Sequence, residues 1–233
     1  MTYSIFTKIP RSDKDEEYSV ELKKFGVATI SEAQGKRGVM DSAIRPIQAG
    51  VTISGTAVTV ECIKPDNLMI HAALEFCRKG DILVVKTPAS PRNGYFGELM
   101  ATSASSQGVD GLVIEGGVRD TKELRNMGFN VWCSYVTVLG TTKESQGNVN
   151  TPVKVGGVLV YPGDFVVADD DGVVVVSRRD VEGVLSNSDE RVKKENITRE
   201  RLRKGELGVN LYNLKDVLRS IGVEYKEKCV EMV

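Results

Sequence analysis

Residues 97–120 read GELMATSASSQGVDGLVIEGGVRD, and this stretch carries one full period of the alternation that decides the fold. Its first part, 97–107, is rich in Ala and Ser and stops at Gly108, a residue suited to the left-handed turn that closes a helix. Residues 111–115, GLVIE, are short, apolar and branched, as in a buried strand. Gly116-Gly117-Val118-Arg119-Asp120 follows, then a helical run at 120–127 and a strand at 131–134. The same rhythm runs upstream, with strand-like 53–63 (ISGTAVTVECI), helical 67–77 closed by Gly80, and a buried strand at 82–86 (ILVVK). The class is α/β.

The flanks differ from this centre. Residues 16–25 form a short amphipathic helix that Gly26 stops, and Ser31-Glu32-Ala33-Gln34 has the spacing of a capping box, opening a second helix that ends near Gly35 or Gly38. After Gly140 come short strands at 153–155, 158–161, 165–168 and 173–177, separated by Gly156-Gly157, Pro162-Gly163-Asp164 and Asp170-Asp171-Gly172 turns. The charged, proline-free 178–204 predicts a long helix, and 211–221 another. No low-complexity linker divides these parts, so one domain is expected over 1–233, with 178–233 a mainly helical C-terminal extension.

Composition narrows the chemistry. The 233 residues, 41% hydrophobic and 27% charged, suffice for one large core or two modest ones. No apolar run approaches the ~20 residues that cross a bilayer, and residues 1–13 lack the basic start and apolar centre of an export signal, so no membrane association and a cytoplasmic location are expected. Lys plus Arg number 31 against 32 Asp plus Glu, which speaks against a nucleic-acid partner. Cys62, Cys77, Cys133 and Cys229 are scattered and read as buried thiols. The single histidine, His71, cannot build a multi-histidine metal site, and no G-x-S-x-G accompanies it. Neither a phosphate-cradling G-x-x-x-x-G-K-[ST] nor a dinucleotide G-x-G-x-x-G is present. Chemistry must therefore rest on carboxylates, Arg, Lys, hydroxyls or the backbone.

A helix of about ten residues advances ~15 Å and a strand of about five returns a similar distance. Glu98, Arg119 and Asp120 can thus meet at one end of the layer, beside the anion-attracting N-terminus of the helix that opens at Gly97. That set suits a small 2-oxo acid: Arg119 can grip its carboxylate with two parallel hydrogen bonds, and a carboxylate-bound Mg²⁺ can chelate its oxygens. Structural roles compete for the same residues. Asp120 is well placed to cap its own helix, and Glu98 in a first helical turn is favoured by the dipole alone. Gly116-Gly117 reads either as a strand-to-helix turn or as a close approach to a ligand. Asp66-Asn67 is foremost a helix cap, although the Asn67 amide could reach a ligand. Asp169-Asp170-Asp171-Gly172 lacks calcium-loop spacing and is assigned to a hairpin. Lys86 is the one tempting Schiff-base lysine, with nothing beside it to activate it. Residues 191–204 read as a solvated helix face.

At these residues the sequence resembles the RraA-like family, which includes the metal-dependent 4-hydroxy-4-methyl-2-oxoglutarate/4-carboxy-4-hydroxy-2-oxoadipate aldolases and the RraA regulators of ribonuclease E. The likeness runs from Ala28-Thr29-Ile30-Ser31-Glu32-Ala33 and Gly38-Val39-Met40-Asp41 through Gly55-Thr56-Ala57-Val58-Thr59-Val60 and Asp66-Asn67-Leu68. It continues over Gly97-Glu98-Leu99, Gly116-Gly117-Val118-Arg119-Asp120 and Ala168-Asp169-Asp170-Asp171-Gly172-Val173. The resemblance implies a layered β/β/α fold of the swivelling-domain type, assembled as a homotrimer or homohexamer with sites at subunit interfaces. It implies Mg²⁺ or Mn²⁺ bound directly by Asp120 and through water by Glu98, with Arg119 on the pyruvyl group. Backbone N–H groups of Leu99 and Met100, just after Gly97, would hold the carboxylate, and Asn67 would lie near the ligand. Glu195 is the match for a glutamate that reaches the metal through water from a neighbouring subunit. Glu98 stands where the aldolases carry aspartate, and retention of an acid there favours an enzyme. The implied activity is class II retro-aldol cleavage of a 4-hydroxy-2-oxo acid to pyruvate and a second carbonyl product, with oxaloacetate decarboxylation as a side activity. The alternatives are a non-catalytic regulator of ribonuclease E type and a module that binds a small 2-oxo acid without turning it over.

Overall fold

Both faces of the central strands are apolar, so the sheet must be covered twice. The computed structural model describes residues 2–226 and shows how. The strands are β1 (Arg45–Pro46), β2 (Ile53–Cys62), β3 (Asp81–Lys86), β4 (Gly94–Phe96), β5 (Gly111–Val118), β6 (Asn130–Val136), β7 (Gly147–Val149), β8 (Val153–Val155), β9 (Val158–Val160), β10 (Phe165–Asp169) and β11 (Gly172–Val176). The helices are α1 (Asp15–Ala33), α2 (Leu68–Ala73), α3 (Glu98–Ser106), α4 (Thr121–Asn126), α5 (Val181–Arg203), α6 (Gly208–Leu211) and α7 (Leu214–Ser220). The main sheet has the order β1-β6-β5-β3-β2-β10-β11, with β4 added to β5 and β7 to β2. Its β6-β5-β3-β2 centre is parallel, β1 and β10 run antiparallel to it at the flanks, and β11 turns back antiparallel to β10.

Period-two alternation sends successive side chains to opposite faces. Val58, Val60, Leu83, Val85, Leu112 and Ile114 meet Ile70 and Ala73 of α2, Met100, Ala101 and Ala104 of α3 and Leu124 of α4. The intervening Ala57, Ile82, Val84, Val113 and Trp132 face Val153, Val155 and Val160 of the separate β8–β9 hairpin. Hairpin, sheet and helices are the β/β/α layers of the expected fold. A third cluster packs Leu22, Val27 and Ile30 of α1 against Phe165, Val167, Val174 and Val176 of the β10–β11 hairpin.

Contacts divide the chain into units 1–189 and 190–233. The first holds all three clusters. The second, described to 226, contains the end of α5 with α6 and α7, and none of its described residues is buried. Ion pairs such as Arg191–Glu195 at 2.8 Å and Arg201–Glu206 at 2.6 Å lace it.

Several local readings change. α1 is continuous to Ala33 apart from a break at Gly26, where φ is 73°. The second helical segment therefore starts at Val27, with Ser31 inside it, and the capping box is not used. Its cap comes from far away: Asp169 Oδ2 accepts the Val27 N–H at 3.0 Å while Oδ1 accepts that of Asp171 at 2.9 Å. Asp169→Ala should lower stability by about 1 kcal/mol, as for the loss of a helix cap. A urea midpoint unchanged from the parent would show that the cap contributes nothing.

Helix 67–77 is shorter than expected, ending at Ala73 and continuing as a 3₁₀ turn, Leu74–Phe76. Gly116 and Gly117 do not form the strand-to-helix turn, because they are strand residues inside β5. A Cβ on Gly116 would lie 2.6 Å from Thr87 Oγ1, and one on Gly117 2.4 Å from the Tyr135 ring. Neighbouring strands, pressed close, demand these glycines. The Asp170-Asp171 hairpin is as assigned, with Asp170 accepting the Gly50 N–H at 2.9 Å.

Candidate functional site

The end of β5 and the start of α3 lie side by side because the backbone N–H of Arg119 donates to Phe96 O of β4 at 2.9 Å. Asp120 then turns with left-handed backbone angles, φ 55° and ψ 38°, and makes no side-chain cap to its own helix α4. Its carboxylate crosses instead to α3, where Oδ2 accepts the Glu98 N–H at 3.1 Å and stands 3.6 Å from Arg119 Nε. A strained aspartate capping a neighbouring helix points to a site rather than to routine capping.

Gly97 makes this approach possible. A Cβ there would lie 2.4 Å from Asp120 Oδ2 and 3.1 Å from Arg119 Cγ. The first turn of α3 leaves donors without intrahelical acceptors. Asp120 takes the Glu98 N–H, and no group among the described residues accepts from Leu99 N or Met100 N. Arg119 and Asp120 are open to solvent, their side chains 49% and 38% exposed. A guanidinium, a carboxylate and two free backbone donors thus share one rim, an arrangement that receives a small anion.

The Glu98 side chain does not join them directly. Its Oε1 accepts from Thr102 Oγ1 at 3.1 Å, one turn along α3, so only its main chain touches Asp120. Asn67 is buried and donates from Nδ2 to Tyr95 O at 2.9 Å, while its Oδ1 has no hydrogen-bond partner. Asn67 is the N-cap of α2 without a side-chain cap bond, and Asp66 before it accepts the Leu68 N–H at 2.9 Å and ties down Thr142 and Glu144 with bonds of 2.6 Å. Glu195 lies on α5, paired with Arg191.

The donor set bears on a metal. Among the described residues no three His, Cys, Asp or Glu side chains come close enough to hold an ion. One or two carboxylates at an open rim fit Mg²⁺ or Mn²⁺ that keeps most of its waters, not an all-protein cage. Other chemistry is set aside by its surroundings. Lys86 Nζ is engaged by Glu115 Oε1 at 2.5 Å, an ion pair that ties the amine down. Burial pushes the Cys62 and Cys77 thiols up to about 12 and Cys133 to about 11, so they are inert near neutrality. Cys229 lies outside the described residues. Desolvation, aided by Lys143, lowers the pKa of His71, an exposed residue on α2. Desolvation likewise raises the Tyr95 phenol, behind the site, to about 12.

The chain as a whole resembles known proteins. The family model described as RraA-like, Aldolase/RraA, matches residues 27–175. A Thermus thermophilus protein named 4-hydroxy-4-methyl-2-oxoglutarate aldolase is 37% identical over 111 residues, 48% of this chain and 68% of its own. A Halalkalibacterium halodurans protein, given that name provisionally, is 28% identical over 177 residues, 76% of this chain and 84% of its own. The crystal structure of Streptomyces coelicolor RraAS2, described as an unusual member of the RNase ES inhibitor RraA protein family, superposes with a TM-score of 0.71. It is 29% identical and covers 80% of this chain and 98% of its own. No described helix is long and apolar enough to cross a membrane.

Proposed function

The chain belongs to the RraA-like, Aldolase/RraA, family, and from that premise we propose that it is a divalent-metal-dependent lyase that cleaves a 4-hydroxy-2-oxo acid to pyruvate and a second carbonyl compound. One observation carries the reading: Asp120 leaves its own helix to cap α3 and gathers Arg119 and the open N–H groups of Leu99 and Met100 around one small rim.

Each group has a task. Leu99 N–H and Met100 N–H hold the substrate carboxylate at the positive end of α3. Arg119 binds the pyruvyl oxygens and meets the negative charge that grows there as the C3–C4 bond breaks. Those bonding electrons pass to the 2-oxo group, and the enolate is then protonated at C3 to give pyruvate. The C4 hydroxyl proton leaves to a water held by Glu98, after that side chain turns from Thr102, and C4 becomes the carbonyl of the second product. Asp120, with Glu98 through water, would hold Mg²⁺ or Mn²⁺. When bound, the ion polarises the 2-oxo group as a Lewis acid. Charge stabilised at the same oxygens also serves loss of CO₂ from oxaloacetate. Asn67, and Glu195 from a second copy in a homotrimer or homohexamer, complete the proposed set.

A panel of 4-hydroxy-2-oxo acids and oxaloacetate, assayed for pyruvate release with Mg²⁺ and Mn²⁺, tests this. Turnover should appear with metal and vanish with EDTA; full activity in metal-free protein would reject the metal, and no turnover of any member would reject the lyase. The likeness to RraAS2 supports a second reading, a protein that binds and regulates a ribonuclease E-type enzyme without catalysis. Inhibition of that nuclease by a chain releasing no pyruvate would select it.

A further inference from the structure

Three glycines surround the arginine of the proposed site. A Cβ on Gly94 would stand 3.5 Å from Arg119 Cβ, one on Gly97 3.3 Å from Arg119 Nε, and one on Gly140 3.1 Å from Arg119 Nη1. Three of the residues that border the side chain therefore leave it room by having no Cβ. Two of those residues belong to the β4–α3 corner. The third, Gly140, belongs to a segment after β6 that is exposed, with Val138 at 91% and Leu139 at 55%. An exposed segment needs anchors if it is to hold a guanidinium in one place.

The anchors are visible. Thr137 N–H donates to Val118 O at 3.0 Å, and Gly94 N–H donates to Leu139 O at 2.7 Å. Asn93 Nδ2 donates to Gly140 O, the carbonyl of the residue against the guanidinium. Two of these bonds are main chain to main chain. Asn93 is the one side chain among the described residues that grips Gly140. Its Oδ1 is buried without a partner, so the amide carries a desolvation cost while the donor makes this contact.

We propose that Asn93 is a positioning residue for Arg119: by holding Gly140 against Nη1 it fixes the direction in which the guanidinium fork meets the oxo acid. The proposal rests on the lyase reading and names a second position on which that reaction depends. Bidentate recognition by arginine is directional, so a fork free to swing loses binding and rate together.

The test is a double-mutant cycle on kcat/KM, with pyruvate binding measured by calorimetry on the same metal-loaded proteins. Asn93→Asp is nearly isosteric and replaces the donor by an acceptor facing a carbonyl. It should raise the pyruvate Kd and lower kcat/KM about tenfold or more. Asn93→Gln, which keeps the amide donor, should recover part of the loss. In an Arg119→Lys background, which lacks the fork, Asn93→Asp should have little further effect, since coupled residues are non-additive. Equal losses in both backgrounds would show that Asn93 acts on general structure and would overturn the proposal, as would normal binding and rates in Asn93→Asp. If Asn93→Asp fails to fold, Gly140→Ala, whose methyl would press on Nη1, is read by the same cycle with the same criteria. Full activity in Arg119→Ala would instead remove the lyase reading beneath the proposal, an outcome distinct from an Asn93 that proves neutral beside an essential Arg119.

Discussion

Arg119→Ala is expected to lower kcat/KM for pyruvate release by two to three orders of magnitude, corresponding to about 3–4 kcal/mol of lost transition-state stabilisation. The size follows from what the residue faces. Its guanidinium stands at an open rim beside Asp120 and two unsatisfied N–H groups, where the proposed reaction would build negative charge on the pyruvyl unit. Folding should be almost untouched, because the side chain is half exposed, so an unchanged urea midpoint together with collapsed activity is the expected pair of results. Asp120 gives the matching variant. Asp120→Asn keeps an oxygen that can accept the Glu98 N–H but removes the charge, and should fall nearly as far in rate while remaining folded. Near-normal turnover in either variant would remove the site from this end of the sheet.

The second large effect concerns stability. Asp81 is fully buried, and Arg11 meets it with two bonds of 2.6 and 2.7 Å. Thr56 Oγ1 and the Arg78 N–H complete the carboxylate's partners at 2.6 and 2.7 Å. Arg11→Ala would leave an uncompensated buried charge, which costs about 3–5 kcal/mol. The two remaining donors place the expected loss near the lower end, about 3 kcal/mol, or roughly 6–12 °C in Tm for a unit of this size. Denaturant unfolding of Arg11→Ala and of Arg11→Ala/Asp81→Asn checks it. The double variant should recover much of the loss, because the charge is gone. A single-variant loss below about 1 kcal/mol would mean that solvent already screens the pair.

Much of this architecture is legible in the sequence because it follows from local rules. The branched runs of β2, β3, β5 and β6, the glycine that follows α3 and the Asp-Gly hairpin each announce themselves within a few residues. What escapes is decided at long range. β1, β4 and β7 are two or three residues long and exist because a neighbour offers a free edge. Ser31 has capping spacing, yet Asp169, brought over by the β10–β11 hairpin, caps the segment first. Gly116-Gly117 carries a turn signature, and only the Thr87 and Tyr135 side chains reveal why a strand needs it. At the candidate site the sequence brings Arg119 and Asp120 to the N-terminus of α3. It also suggests that the Glu98 side chain converges on them, whereas that carboxylate lies along its helix on Thr102. Asn93, Gly140 and the Arg11–Asp81 pair carry no local signal; only packing puts them where they act.

The crossing of Asp120 over Gly97 has a consequence for how variation at this corner can proceed. With 2.4 Å between the carboxylate oxygen and the place where a Cβ would stand, the two positions share one volume. A chain that gives up the acid frees the smaller residue to change, and a chain that gains a methyl at 97 must turn the carboxylate away from the Glu98 N–H. Variation at this corner is therefore coupled: a side chain at 97 and an aspartate that crosses to α3 exclude one another as the corner now stands.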